Sequence, residues 1–256
     1  MSEKSPVPPY AATPGWPAAD PSESPVPARY FGVWSRTLLE TPDTRDTDTL
    51  VRWMQLGQWH VDLRVPQSRP SELQGFSGIT QVRQVAPNQA EPAAMQGVMQ
   101  MSREICTWRR IVDFQPSRGT VDEGWMVFET PQRLLETGVH SEYFEVWERL
   151  PGSVGRRIAL AEPPRPDGKT SARLFVSGDT MMRVRPAESQ DPAFEISFGK
   201  FADSHFCIEA STVAALAGSR SAMTFVQRDS GTAEVHDGIA QGVWDVLEWA
   251  EAESQL

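Results

Sequence analysis

The sequence predicts an all-β protein: two fused antiparallel β-barrels with short helices and a disordered N-terminal tail. Three observations carry that prediction. Short alternating apolar segments are separated by turn residues along most of the chain, which is the pattern of antiparallel strands. Breakers concentrate near the middle, at Pro151-Gly152 and Glu162-Pro-Pro-Arg-Pro-Asp-Gly168. The two halves also echo one another, and 256 residues suit two domains better than one.

Residues 1–28 contain eight prolines among Ala, Ser, Glu and Asp, with no apolar period. Such a segment buries too little surface to offset its ordering entropy, so order is expected from about Arg29. Strands are then predicted over 30–39, 49–56 and 58–65, with Gly57 at a tight hairpin between the last two. Pro70-Ser-Glu-Leu73 has the form of a capped helical turn, able to lie across a barrel end. Strands follow over 79–85, 98–114, 124–130 and 142–150. The predicted domains are the tail (1–28), a first barrel (29–152) and a second, smaller barrel (153–256). In the second half, strands are predicted over 172–177, 180–185, 194–201, 205–209, 222–227 and 243–248. One short helix is predicted over 211–217, with Ser211 as cap and Gly218 as stop. Leu56-Gly57 before a strand ending Arg64-Val-Pro66 is matched by Ser177-Gly178 before a strand ending Arg185-Pro186. Each half closes on an acidic aromatic strand, Tyr143–Glu148 and Val243–Glu248, which duplication of one barrel would explain.

Composition narrows the function classes. Hydrophobic residues make up 39% and charged residues 23%, and no stretch approaches the roughly 20 apolar residues of a membrane span. No membrane partner is expected. The start, Met1-Ser-Glu-Lys, lacks a secretory pattern, so a cytoplasmic location is expected. Cys106 and Cys207 would then be thiols. A net charge of −10 argues against a nucleic-acid partner, and Arg109 and Arg110 point to opposite faces of a strand.

The candidate site rests on strand faces. In the third strand Trp59, Val61, Leu63 and Val65 share one face, and His60, Asp62 and Arg64 the other. Either the apolar set packs inward and the polar triplet forms a solvated ladder, or the triplet faces a ligand cavity and the apolar set packs on the second barrel or on the long segment before Cys106. In the closing strand Tyr143, Glu145, Trp147 and Arg149 share a face, as Trp53 and Gln55 do in the second strand. If these faces are internal, Asp62 and Glu145 are candidate general bases, and His60 and Tyr143 candidate acids. Trp53, Gln55, Arg64 and Trp147 are then the candidate ligand-binding residues, with Arg64 able to clamp an anion and Arg64 or Arg149 able to partner Glu145.

Other chemistry has weaker support. Asp43, Asp46 and Asp48 share a loop that lacks the glycine and distal glutamate of a calcium loop. His60, His140, His205 and His236 form no close ligand pair, so no metal is expected. Phosphate-loop, dinucleotide and nucleophile-elbow patterns are missing, and no cofactor is expected. Each cysteine lies in an apolar strand context, where a thiol acts as a small hydrophobe.

Phe31-Gly32-Val33-Trp34 resembles the opening of a calycin, a lipocalin-like barrel in which a Gly-x-Trp on the first strand plugs one end. The resemblance implies Trp34 as that plug, with Arg149 packed over it. Arg52-Trp-Met-Gln55, Val61–Pro66, Cys106-Thr-Trp108 and Tyr143–Trp147 resemble a family of two-barrel lipocalin-like proteins of fungi, one member of which interacts with a casein kinase. Where that family has Asn-Val-Pro, this chain has Asp62-Leu-Arg-Val-Pro66. The family implies a fold more than a function. The leading expectation is binding of a small, partly apolar, aromatic or acidic molecule in the first barrel. The alternatives are a cofactor-independent isomerase, lyase or hydrolase using the barrel carboxylates, and a protein-interaction module without ligand. Trp244 and Trp249, among acidic residues, could supply an aromatic patch to such a module.

Overall fold

The computed structural model describes residues 25–68, 73–85, 104–113, 121–166, 171–187, 194–237 and 241–251. The first sheet contains β1 (Gly32–Glu40), β2 (Arg45–Asp46), β3 (Thr49–Leu56), β4 (Trp59–Pro66), β5 (Gln74–Gln84), β6 (Glu104–Asp113), β7 (Glu123–Thr130), β8 (Arg133–Gly138) and β9 (Phe144–Arg149). Each strand pairs antiparallel with its neighbour, and β9 returns to β1, so the sheet closes into a barrel with β2 as a short arm on β1.

The second sheet contains β10 (Arg157–Ala161), β11 (Arg173–Ser177), β12 (Thr180–Pro186), β13 (Phe194–Ala202), β14 (His205–Ser211), β15 (Arg220–Ala222), β16 (Thr224–Gln227), β17 (Thr232–His236) and β18 (Gln241–Ala250). It runs from β15 round to β16, which pair with β14 and β17 respectively and are separated only by the buried Met223. The second barrel is therefore nearly closed. No helix among the described residues is long and apolar enough to cross a membrane.

The two halves share local devices. Gly57 and Gly178 occupy the same hairpin turn at φ +39° and +57°, the left-handed region that glycine tolerates best. The β5–β6 register slips between Ser77 and Gly78, and the β13–β14 register between Phe198 and Gly199. A Cβ at Gly78 or Gly199 would lie 1.9 Å from a carbonyl oxygen, that of Arg109 or Cys207. Both bulges thus need a residue without a side chain.

The orientation of β4 decides where the site lies. Trp59, Val61 and Leu63, with Met54 and Leu56 of β3, pack in one cluster with Phe175, Met182, Val184, Phe194, Ile196 and Phe198 of the second barrel. His60 and Asp62 are buried on the opposite face, inside the first barrel, and Arg64 beside them is half-buried. The solvated-ladder reading fails for a physical reason: a second barrel, rather than the barrel interior, covers the apolar face. The second barrel has its own apolar interior, with Leu174, Val176, Met181, Phe206 and Trp244 among its members. The buried Trp244 is thus core, while the half-buried Trp249 packs edge-on against Phe225.

Several expectations need correction. Val26 is buried in the first barrel's aromatic core and Ala28–Tyr30 form a 3-10 turn, so the described end of the proline-rich segment belongs to the barrel. The rest of that segment, most of the Pro70 turn and residues 98–103 lie outside the described residues. No α-helix spans 211–217: β14 runs through Ser211 and only Ala214–Leu216 turn in a 3-10 helix, without a side-chain cap. The Ser211 hydroxyl instead meets that of Ser197 at 2.9 Å and accepts from the Val213 N–H. β8, β10 and β17 were not expected. β10 lies within the stretch read as a breaker-rich boundary.

Candidate functional site

The interior of the first barrel is divided into an aromatic plug and a polar mouth. Trp34 is fully buried, donates its indole N–H to the Tyr30 carbonyl at 2.8 Å and stacks near Trp53 at 6.4 Å. Arg149 covers it, with Cζ 4.5 Å from the ring centroid. Trp53 then meets Trp108 at 5.5 Å and Trp147 at 5.6 Å, both edge-on. Above these indoles lies a half-open cavity of about 260 Å³.

Alternating strand residues supply its walls. Trp53 comes from β3, Asp62 and Arg64 from β4, Phe76 from β5, Trp108 and Arg110 from β6, Glu136 from β8, and Glu145 and Trp147 from β9. Arg36 and Leu39 of β1, with Thr41, Asp122 and Tyr143, complete the lining. Six of the eight residues singled out from sequence thus meet at one cavity: Asp62, Glu145, Tyr143, Trp53, Arg64 and Trp147.

His60 and Gln55 lie outside that lining. Gln55 Nε2 donates to the carbonyls of Gly57 (3.0 Å) and Trp59 (3.1 Å), which turns Oε1 toward the Thr80 hydroxyl, a donor at 2.8 Å. Having given its proton to Gln55, Thr80 must accept from His60 Nδ1–H at 3.0 Å. His60 is therefore the neutral Nδ1–H tautomer. Burial, and then the charge of Arg110, lower its pKa to about 3, which unfits it as a general acid near neutrality.

The charges of the mouth are largely paired. Arg64 donates to both oxygens of Asp62, at 2.8 and 3.4 Å. Burial works against the Arg64 charge, but Asp62 and Glu145 outweigh it and hold the guanidinium firmly protonated. Arg36 bridges Glu145 at 2.7 Å and Asp46 at 2.9 Å. Asp46 also caps its own turn by accepting the N–H groups of Asp48 and Thr49. Arg110 reaches Asp122 at 2.6 Å and Asp113 at 3.1 Å, lying 3.7 Å from the Phe76 centroid. Arg64 is thus engaged by Asp62 rather than held ready for an anion, and the partner of Glu145 is Arg36 rather than Arg149.

Glu136 is the buried carboxyl that sequence reasoning missed. It sits directly across β8–β9 from Glu145. Its Oε2 accepts from Trp147 Nε1 at 3.0 Å, and its Oε1 lies 2.6 Å from the Tyr143 hydroxyl. Among the described residues no Arg or Lys forms an ion pair with it. Burial, then the neighbouring Glu145, pushes the Glu136 carboxyl well above the usual carboxylate range. Glu145 is also raised by burial, with Arg36 and Arg64 opposing. Burial and then Glu136 raise the Tyr143 phenol.

Two glycines make room for this group. Gly124 and Gly138 face each other across β7–β8. A Cβ at Gly124 would fall 2.8 Å from Glu136 Cγ, and one at Gly138 would fall 2.5 Å from the Tyr143 ring. The sequence signal was the Leu134-x-Glu136-x-Gly138 alternation, hidden because no strand was assigned there.

No protein-family model matches the chain, and no curated protein matches it. A similar solved structure is the crystal structure of the uncharacterized protein YLR301w from Saccharomyces cerevisiae. It has 10% sequence identity and a TM-score of 0.56, and the match covers 86% of this chain and 98% of the yeast chain. At that identity the likeness speaks for the fold alone.

Proposed function

We propose that the first barrel binds a small, flat, partly apolar molecule at its polar mouth, and that the protein is a two-barrel member of the calycin group. The observation that carries the binding reading is the cavity itself. Its volume of about 260 Å³ falls just below the ~300 to ~1,000 Å³ usual for ligand pockets, and its lining shares their combination of apolar walls with a few convergent polar groups. Trp53, Phe76, Trp108 and Trp147 offer aromatic contact. The Arg149-covered Trp34 supports the calycin reading.

The charge balance refines the ligand class. Three guanidinium groups and four carboxyl groups line the cavity, and every guanidinium is in an ion pair. A neutral or cationic aromatic molecule suits this lining better than an acidic one. Saturation-transfer NMR against neutral, cationic and acidic aromatic fragments tests the proposal. Neutral or cationic fragments should bind, and Leu39→Trp at the cavity wall should abolish binding while leaving the β-sheet circular dichroism intact. Binding that is indifferent to Leu39→Trp would place the ligand elsewhere.

A second reading, cofactor-independent proton transfer, is favoured by the facing carboxyls Glu136 and Glu145. One has no cation and the other is held by Arg36, an arrangement that separates an acid from a base. Turnover of any substrate found for the protein should fall with Glu145→Gln, and turnover unchanged in both Glu145→Gln and Asp62→Asn would remove this reading.

A further inference from the structure

Trp147 Nε1 can only donate a hydrogen bond, so Glu136 Oε2, which it meets at 3.0 Å, must accept. A proton on this carboxyl therefore sits on Oε1. To an ionised Glu136 the Tyr143 hydroxyl donates at Oε1, over 2.6 Å, and a proton on Oε1 reverses that bond. A neutral Glu136 thus donates to Tyr143, and the phenol's own proton must turn away from Glu136. Tyr143 lines the cavity.

The surroundings of Glu136 keep the proton there. Glu145 faces it from β9 and Asp62 projects from β4, both carboxyls, with Asp122 on the approach to β7 and the Cys106 thiol on β6. The cations nearby are committed elsewhere: Arg36 from β1 to Glu145 and Asp46, and Arg64 from β4 to Asp62. Of two facing buried carboxyls of which only one holds a guanidinium, the other is the one that burial favours as neutral, and Glu136 is the one without the guanidinium.

We propose that Tyr143, turned by a protonated Glu136, presents its hydroxyl proton to the cavity and selects ligands that carry a neutral hydrogen-bond acceptor, such as a carbonyl oxygen, on an aromatic ring. This rests on the binding reading above and names the ligand chemistry it requires. Tyr143 and Glu136 become specificity-determining residues, one in contact with the ligand and the other positioning it.

The test uses acetophenone and α-methylstyrene, which share shape and differ in a carbonyl against a methylene. Titrated into the full-length protein and followed by NMR, acetophenone should bind more tightly by roughly threefold to tenfold, the worth of one neutral hydrogen bond. Tyr143→Phe should bring the two affinities close together. Glu136→Gln should keep the preference, because its amide N–H₂ still donates to Tyr143 while its oxygen still accepts from Trp147. Equal affinities in the wild type, or a preference that survives Tyr143→Phe, would overturn the proposal. If neither probe binds, the binding reading falls and ligand selection with it. Infrared spectroscopy separately decides where the proton is: a protonated-carboxyl C=O band at neutral pH that disappears in Glu136→Gln supports the assignment, and its absence from the wild type overturns it.

Discussion

At the scale of the residue, the account turns on Glu136, a buried carboxyl whose surroundings favour its neutral form. A group whose folded pKa lies above its unfolded value binds protons more tightly in the native state. It therefore supports stability most at low pH, and that support is lost as pH rises from the ordinary value of 4.5 toward the folded one. Glu136 has this sign. Glu136→Gln, which keeps the neutral form's hydrogen bonds, should gain on the wild type by up to about 1.4 kcal/mol per pH unit across that window. Urea denaturation of both proteins between roughly pH 5 and pH 8 measures the difference. A difference that stays flat with pH would mean that Glu136 ionises like an exposed carboxyl. Individual polar residues were legible in the sequence as far as parity allowed. Asp62, Glu145 and Tyr143 were named because they share strand faces, but their ion-pair partners come from distant strands and carry no local signal.

At the scale of the element, each barrel depends on a bulge that admits no side chain. Gly78→Ala and Gly199→Ala would each bring a methyl group to 1.9 Å from a carbonyl oxygen. Backbone cannot give way there as a flexible side chain would, so each should cost at least about 2 kcal/mol in denaturant unfolding. Near-neutral effects would mean that the register can slip back. The longer strands and the Gly57 and Gly178 hairpins were readable from alternation and turn chemistry. β8, β10 and β17 were not, for physical reasons. Each has only five or six residues, and β8 buries Leu134 and Leu135 and then Glu136 and Thr137, so no hydrophobic period marks it. Missing β8 also hid Glu136. The 211–217 segment failed differently: serine cap and glycine stop were present, but the Ser211 hydroxyl is used within the sheet and near the Ser197 hydroxyl.

At the scale of the whole molecule, the second barrel gives the first its polar interior. By covering Trp59, Val61 and Leu63 it lets β4 turn His60, Asp62 and Arg64 inward. Ser153 is the buried anchor of the connection: its Oγ accepts from Val33 N–H at 3.0 Å and donates to Leu150 O at 2.7 Å, and Ser177 Oγ donates to Ser153 O at 2.6 Å. The barrels should therefore unfold together, in one calorimetric transition, and Leu63→Ala should lower the stability of both by about 2–5 kcal/mol. Two separate transitions would show that the contact is weak. That the polar face of β4 is internal was undecidable from one strand, since parity says which residues share a face but not what covers it. The central claim is that the mouth of the first barrel is a binding site, and the most direct test follows the tryptophan indole N–H resonances by NMR as acetophenone is added. The signals of Trp53, Trp108 and Trp147 should move together and saturably while those of Trp244 and Trp249 stay still, whereas unchanged signals from the three cavity indoles at saturating acetophenone would contradict the account.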